Sequence, residues 1–455
     1  MLRRLLTFFF LLFVFASTFS ISLSQSALGI AAVLFVIAAV SERFNPFGGG
    51  LQWFWAAVAI YIGWLVLVCL LQGEPLRALD NIREEWLFAV IPIGIYLGRD
   101  TTFPDRAMKV LALGLLLVSL AALIMAGFGV QYSWPDGFTP LLETNPRVRG
   151  TFAHALTFGN VAAIASLCVL AWAFLQRTPV TPRARSAAGG PSSADSDDST
   201  TPPSMSGARQ MPSSAGFLRR PLLSWQTLAL LASILGLIAV LLCGGRGPML
   251  AALVGLVVLP SIMPRPWRRL GWAVLLVVLA IGVLTPTVRS RFSVELGWHF
   301  NRDWPGGRLF IWERSLDIAI AHPLTGVGPG NFGREYHERL DTSVSDRFWY
   351  QHAHNDFLEA ACRSGIPGAA TFALLWVSAL RSLWRGRRHW GEGSRQRRSL
   401  AVALVGSLVF FVESLSEATF SDEEVRVLLM LVWALGLAAV YNREKSSAQG
   451  QPYVY

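Results

Sequence analysis

Twelve stretches of this chain are apolar for long enough to cross, or nearly cross, a bilayer. That recurrence limits the folds open to the chain more than any other feature. The runs fall at about 5–21, 27–41, 51–71, 86–98, 110–130, 156–176, 222–243, 247–263, 270–286, 366–384, 399–417 and 425–441. A hydrocarbon layer roughly 30 Å thick takes about 20 helical residues. Inside it every backbone N–H and C=O must be satisfied within the segment, which a helix achieves and an open strand does not. The runs at 27–41 and 86–98 are short for a full crossing, so their ends are the least defined. A chain that is 53% hydrophobic, with a mean hydropathy of +0.46, is too apolar for a soluble globule. The expected class is an all-α polytopic membrane protein of about twelve transmembrane helices. Its first run follows Arg3 and Arg4 and ends in Ser/Thr, as a signal peptide does. No small-residue cleavage site follows and the second run begins within a few residues, so it reads as a retained first helix.

Orientation follows from the basic residues, which favour the cytoplasmic side. With the N-terminus in the cytoplasm and the runs alternating, 24 of the 39 basic residues fall inside and 15 outside, and nine of the 15 lie in one long loop. Outside that loop the ratio is 24 to 6, which supports both termini being cytoplasmic. The formal net charge of +10 is therefore read as topology. The basic residues are almost all arginine, Lys109 and Lys445 being the lysines, and no basic run is interleaved with aromatics, which argues against nucleic acid as a partner. Cys69, Cys168 and Cys243 lie in apolar runs and Cys362 at the start of another; no two have metal-ligand spacing, so they read as packing residues. Residues of about 178–216 are rich in Pro, Ser, Ala, Gly and Thr and should form a disordered cytoplasmic linker.

The long outer loop, from about Thr287 to Gly365, divides the chain into a first bundle (1–286, nine spans), the loop (287–365), and a last bundle with a cytoplasmic tail (366–455, three spans). It holds His299, His322, His337, His352 and His354, five of the seven histidines. Within it Arg308–Ala321 reads as an amphipathic helix, with Leu309, Trp312, Leu316 and Ile320 on one face and Glu313, Arg314 and Asp317 on the other, suited to packing on the membrane surface. The following Gly326-Val-Gly328-Pro-Gly330-Asn331 is a tight loop. It is not a P-loop, since no Gly-Lys-Ser/Thr follows, so nucleotide use is not indicated.

Polar residues gather on the outer side in four clusters: Asn145-Pro-Arg147-Val-Arg149 running to His154, Gly244-Gly245-Arg246-Gly-Pro248, Gly306-Gly307-Arg308, and His352-Ala-His354-Asn355-Asp356 running to Glu359. The Gly-Gly-Arg-Gly-Pro turn lets backbone approach a ligand closely. Pro248 suits the first position of a helix. Arg246 beside a helix N-terminus reads either as an anion ligand or as an interfacial arginine reaching head groups. Arg308 opens its helix and can reach an anion. Asn355 or Asp356 can cap a new helix. His354 at its start reads as a proton acceptor near neutral pH or as a structural hydrogen bonder. A zinc site on His352-x-His354 would need a third ligand, and none stands at the usual spacing. No motif assigns Glu413 and Glu417, near the outer end of the eleventh run, and whether they belong to the site is left open.

Taken in order, Arg-x-x-x-Leu (Arg246 to Leu250), Arg308 opening a helix, and His-Asn-x-x-Leu (His354 to Leu358) in a twelve-span chain with one large outer loop resemble the O-antigen ligase/polymerase superfamily, and the ligases most closely. The likeness covers about Arg246 to Gly368. It implies glycosyl transfer at the periplasmic face of the bacterial inner membrane, with the large loop periplasmic. The implied donor is a glycan on undecaprenyl pyrophosphate, and the implied acceptor a sugar hydroxyl of lipid A–core oligosaccharide. It further implies inversion at the anomeric centre with neither metal, cofactor nor nucleotide. A polymerase would use the same donor with a second lipid-linked repeat as acceptor. On this resemblance His354 is the base, and Arg246, Arg308 and then Arg149 bind pyrophosphate, with Asn355, Asp356, His352 and Arg147 in support. A transporter would place ionisable residues mid-span, and these spans hold almost no charge.

Overall fold

The apolar runs become helices almost one for one. The computed structural model describes residues 1–133, 137–141, 147–176, 224–263, 268–269, 271–273, 275–276, 301–340 and 349–448. The helices are α1 (Leu2–Ala16), α2 (Ile21–Ser41), α3 (Gln52–Leu71), α4 (Pro75–Glu84), α5 (Val90–Leu97), α6 (Phe103–Gly127), α7 (Ala155–Leu175), α8 (Trp225–Cys243), α9 (Arg246–Ile262), α10 (Arg308–Ala321), α11 (Phe332–Glu338), α12 (Asp356–His389), α13 (Arg395–Ser414) and α14 (Glu423–Ala448). A 3₁₀ segment, Glu85–Ala89, leads into α5. The expected linker at 178–216, most of the ninth run at 270–286, the start of the outer loop with His299, and Asn145 lie outside the described residues.

Among the described residues seven helices, α2, α3, α6, α7, α8, α12 and α14, are long and apolar enough to cross a membrane, which makes this a multi-pass membrane protein. Four of the other runs fall short for identifiable reasons. Helices α1, α5 and α9 are shorter. Helix α13 carries Arg395, Arg397, Arg398 and Glu413. The expectation of an all-α chain needs one correction: β1 (Val130–Ser133) and β2 (Gly137–Pro140) pair antiparallel, Val130 opposite Pro140. This hairpin follows α6 directly, so the apolar run at 110–130 ends in a strand rather than in helix.

Hydropathy alone does not say which helices lie inside. In the spanning windows of α7 and α14, 89% and 94% of residues are buried, against 28% for α2. Helix α2 instead exposes Ile30, Val33, Val36, Ile37 and Val40, a surface suited to lipid. The central helices are pinned by polar contacts such as Trp433 Nε1 donating to Ser407 Oγ (2.9 Å). Loops that alternation assigns to one side do meet at one end: Gln72 Nε2 donates to Gly326 O (3.1 Å), Arg363 pairs with Glu84 (2.8 Å), and Thr157 donates to Asp422 (2.8 Å).

Two details add to the sequence reading. In α10 the buried stripe is Ile311, Ser315, Ile318 and Ala319, whereas Leu316 and Ile320 are exposed. The buried face is set by α12, where Cys362 Sγ donates to Ser315 O (3.0 Å), rather than by the larger side chains. Pro248 stands third in α9, still within the first turn, where no intrahelical acceptor awaits its missing N–H.

Helix α12 is broken where the loop meets the expected tenth span, at Ser364 and Gly365 (φ 76°). The 323–328 loop packs into the break. Ile366 N–H donates to Pro323 O (2.8 Å) and Val327 N–H to Cys362 O (2.8 Å). A Cβ on Gly365 would lie 2.3 Å from Leu324 O, so only glycine fits.

Candidate active site

The site begins with how the turn after α13 is tied to the start of α12. That turn opens at Leu415, so Glu417 stands beyond the helix end rather than inside a span. Asn355 caps α12 as expected: its Oδ1 accepts from the N–H groups of Phe357 (2.9 Å) and Leu358 (3.1 Å), while its Nδ2 donates to Leu415 O (3.0 Å). Asp356, the first residue of the helix, is buried and accepts from the Thr419 hydroxyl (3.0 Å) and the Phe420 N–H (3.0 Å). Glu359 Oε2 accepts from Ala353 N–H (2.8 Å), which folds the preceding loop back on the helix.

These bonds bring Glu417 to His354, with Nδ1 2.9 Å from Oε2. Arg308, at the start of α10, donates to Oε1 of the same carboxylate. Trp312, one turn along α10, donates from Nε1 to His354 O (3.2 Å). His354 has φ 49°, in the left-handed region that non-glycine residues rarely adopt. Such strain costs on the order of 1–3 kcal/mol and persists only where surroundings over-determine it. Here Trp312 holds the backbone and Glu417 the ring.

Burial, the largest influence, lowers the His354 pKa below its ordinary 6.5; the hydrogen bond to Glu417 opposes that shift and does not overcome it, and the Arg308 charge adds to it. For Glu417, burial would raise the pKa, but the His354 hydrogen bond and the Arg308 charge outweigh it and hold the carboxyl low. A neutral imidazole beside a carboxylate donates from Nδ1, which leaves Nε2 as the ring's acceptor. That is the arrangement a general base needs. His352 stands edge-on to His354, with ring centroids 4.2 Å apart. Burial, then the neighbouring His354, pushes its pKa down to about 4. Among the described residues no group of three or more His, Cys, Asp or Glu is placed to hold a metal ion.

The short turn between α8 and α9 supplies the next arginine. Gly244 ends α8 in the left-handed conformation (φ 63°), Gly245 follows, and Arg246 is the first residue of α9. A Cβ on Gly247 would come 2.9 Å from Ser416 Oγ and 3.5 Å from Glu417 Cγ, so the N-terminus of α9 lies against the turn that carries Glu417. Arg308 and His354 thus meet on Glu417, and the start of α9, where Arg246 stands, lies against the same turn. Arg147 lies beside the same glycine turn, since a Cβ on Gly244 would be 3.5 Å from its Cγ. Arg149 Nη1 donates instead to Ala153 O (3.2 Å), within its own loop. Of the two, Arg147 is the one against the turn that bears Arg246.

Glu417 is the member of this cluster that no motif identified. A carboxylate at the end of an otherwise apolar run is costly unless partnered, and that was the only signal. Residues 231–373 match the family model described as O-Antigen ligase. No curated protein matches the chain. The matched stretch contains Arg246, Arg308, His352, His354, Asn355 and Asp356, and leaves out Arg147, Arg149 and Glu417. The part of the chain that supplies the two motif arginines and the histidine is therefore the part that is similar to O-antigen ligases.

Proposed function

We propose that this protein is an O-antigen ligase that transfers a glycan from undecaprenyl pyrophosphate to a sugar hydroxyl of lipid A–core, with inversion and without a metal or nucleotide. The observation that carries the proposal is the meeting of Arg308 and His354 on one buried carboxylate, Glu417. An inverting transfer to a hydroxyl needs a base for the incoming oxygen and cationic support for the departing pyrophosphate. His354 Nε2 takes the proton from the acceptor hydroxyl as that oxygen bonds to the anomeric carbon. The bond from that carbon to the pyrophosphate oxygen breaks on the opposite face, and undecaprenyl pyrophosphate leaves with the electron pair. Arg308 and Arg246 stabilise the charge on the leaving group; guanidinium suits this because it stays protonated and binds phosphate bidentately. Arg147 stands against the turn that bears Arg246, and Arg149, two residues further along the same loop, is the third arginine for the anion. Asn355 and Asp356 fix the helix start that carries His354, Glu417 orients its ring, and His352 packs against it.

In this reading the chain has about twelve spans, counting α1, α5, α9, α13 and the ninth run with the seven long helices. It lies in the bacterial inner membrane with both termini cytoplasmic, and the end where the site gathers faces the periplasm. The test is a transfer assay with purified protein, undecaprenyl-pyrophosphate-linked glycan and lipid A–core, with EDTA and no nucleotide. A new lipid A-linked glycan that is lost in His354→Ala supports the ligase. Lengthening of the lipid-linked glycan itself would instead make the protein a polymerase, and neither product from folded protein would overturn glycosyl transfer.

A further inference from the structure

Beside this site, on the far side of the α12 start, lies a cavity of about 270 Å³. Its walls come from α3, the Glu84–Glu85 junction, the first turns of α12 with Phe372 beyond its break, and the 420–426 segment. It is lined unlike the arginine cluster. One side is aromatic: Tyr61, Phe372 and Phe420 stand with ring centroids 4.9–6.1 Å apart. The rest of the lining carries Glu84, Glu85, Asp356, Glu359 and Glu423 with two cations, Arg363 and Arg426; Asp356 and Glu359 each already accept a bond from within the protein, and Arg426 stands over the Phe420 ring (5.2 Å). Arg426 pairs with Glu85 (3.1 Å) and Arg363 with Glu84 (2.8 Å), so the carboxylates outnumber the cations after pairing. Glu85 and Arg426 are both almost wholly buried. Burying such a pair costs desolvation that its attraction barely repays, so it is weak support for stability. Arg426 also keeps a buried Nε with no hydrogen-bond partner among the described residues.

Glu84 and Glu85 already occupy the two arginines, so a phosphate would have to break both ion pairs, and pyrophosphate is not the occupant. A metal is not indicated either, since no set of three ligands is placed for one among the described residues. A ligand that satisfies these walls is neutral, carries several hydroxyl donors, and presents an apolar face to the aromatic rings. A pyranose has all three properties, and a cavity near the small end of ligand pockets suits a single ring. The mouth is marked by Ser421, which is exposed, and Glu84, whose side chain is 52% exposed. Asp356 and Glu359 follow His354 by two and five residues, so the cavity wall is the same helix start that holds the base.

We infer that the cavity between Tyr61, Glu85, Asp356, Phe372, Phe420 and Arg426 is a sugar subsite that seats one pyranose ring of the acceptor oligosaccharide. That it serves the acceptor rests on the proposed transfer; that it binds a sugar does not. The test uses the full chain in nanodiscs with no donor present. Saturation-transfer NMR is recorded with methyl α-D-glucopyranoside, methyl α-D-galactopyranoside and methyl α-D-mannopyranoside as separate probes. The expected result is transfer to the ring protons of at least one probe, unaffected by inorganic phosphate. It should fall at least threefold in Ala360→Trp, which fills the cavity, and in Ser421→Trp, which blocks its mouth from an exposed position. No transfer to any probe in the wild type, or undiminished transfer in a folded Ser421→Trp protein, overturns the subsite. Binding without any transferase activity would overturn the acceptor assignment and the ligase reading while leaving a sugar site.

Discussion

His354 and Glu417 stand 63 residues apart in sequence, yet Nδ1 of one lies 2.9 Å from Oε2 of the other. The contact fixes which ring nitrogen holds the proton, and the second oxygen of the same carboxylate takes Arg308. Glu417→Gln keeps the shape but loses the charge that orients both groups. Transfer should fall by on the order of 10²–10⁴-fold, as when an orienting carboxylate is neutralised beside another catalytic histidine. Steady-state kinetics, with folding checked by thermal unfolding, would measure it, and near-normal turnover would remove Glu417 from the mechanism.

The pH profile follows from the lowered pKa of His354. The neutral imidazole is the active form, so protonation inactivates. Activity should be flat through neutral pH and fall only as pH drops below the ordinary histidine value of about 6.5. Losing the carboxylate removes an influence that favours the charged ring, so the acid limb of Glu417→Gln should move to lower pH. An acid limb above 7 in the wild type would contradict the neutral-base role.

Arg308 and Arg246 are expected to act on the leaving group. Replacing either by Ala should cost about 2–4 kcal/mol of transition-state stabilisation, seen mainly in kcat. Arg308→Lys should recover only part, because an ammonium cannot bridge phosphate oxygens as the guanidinium fork does. Full activity in Arg308→Lys would mean that charge alone suffices.

Gly365→Ala should destabilise the protein without touching the chemistry directly. The residue has φ 76°, and a Cβ would meet Leu324 O at 2.3 Å, a backbone atom that cannot rotate away. A loss above about 1–3 kcal/mol is expected from strain at such a position. It should appear as a lower unfolding temperature and reduced yield in membranes, and an unchanged unfolding temperature would show that the kink relaxes.

Asn355→Ala tests the helix start apart from the base. It removes the cap on Phe357 and Leu358 together with the tie to Leu415. The cap alone is worth about 0.5–2 kcal/mol. Because the tie also sets where Glu417 stands, turnover should fall further than stability does, which kinetics beside thermal unfolding would separate.

By itself the sequence determined where helices form, because the length of an apolar run and the residues that interrupt it act locally. Ser20, Ser224, Asn355 and Ser394 each cap the helix that follows them. The likeness to O-antigen ligases was legible for the same reason, since each of its motifs is written in a few neighbouring residues. Only the tertiary structure decided which apolar helices are central. A helix that is apolar all round looks the same whether lipid or protein surrounds it, so α7 and α2 could not be told apart. The face of α10 turned to α12 was not legible because a cysteine and a serine, not its largest side chains, meet there. Whether Glu417 belongs to the site stayed open in the sequence because its meaning depends on partners 63 and 109 positions away. Its position is set by how the 415–420 turn folds back onto Asn355 and Asp356, a long-range pairing that no local pattern in the chain records.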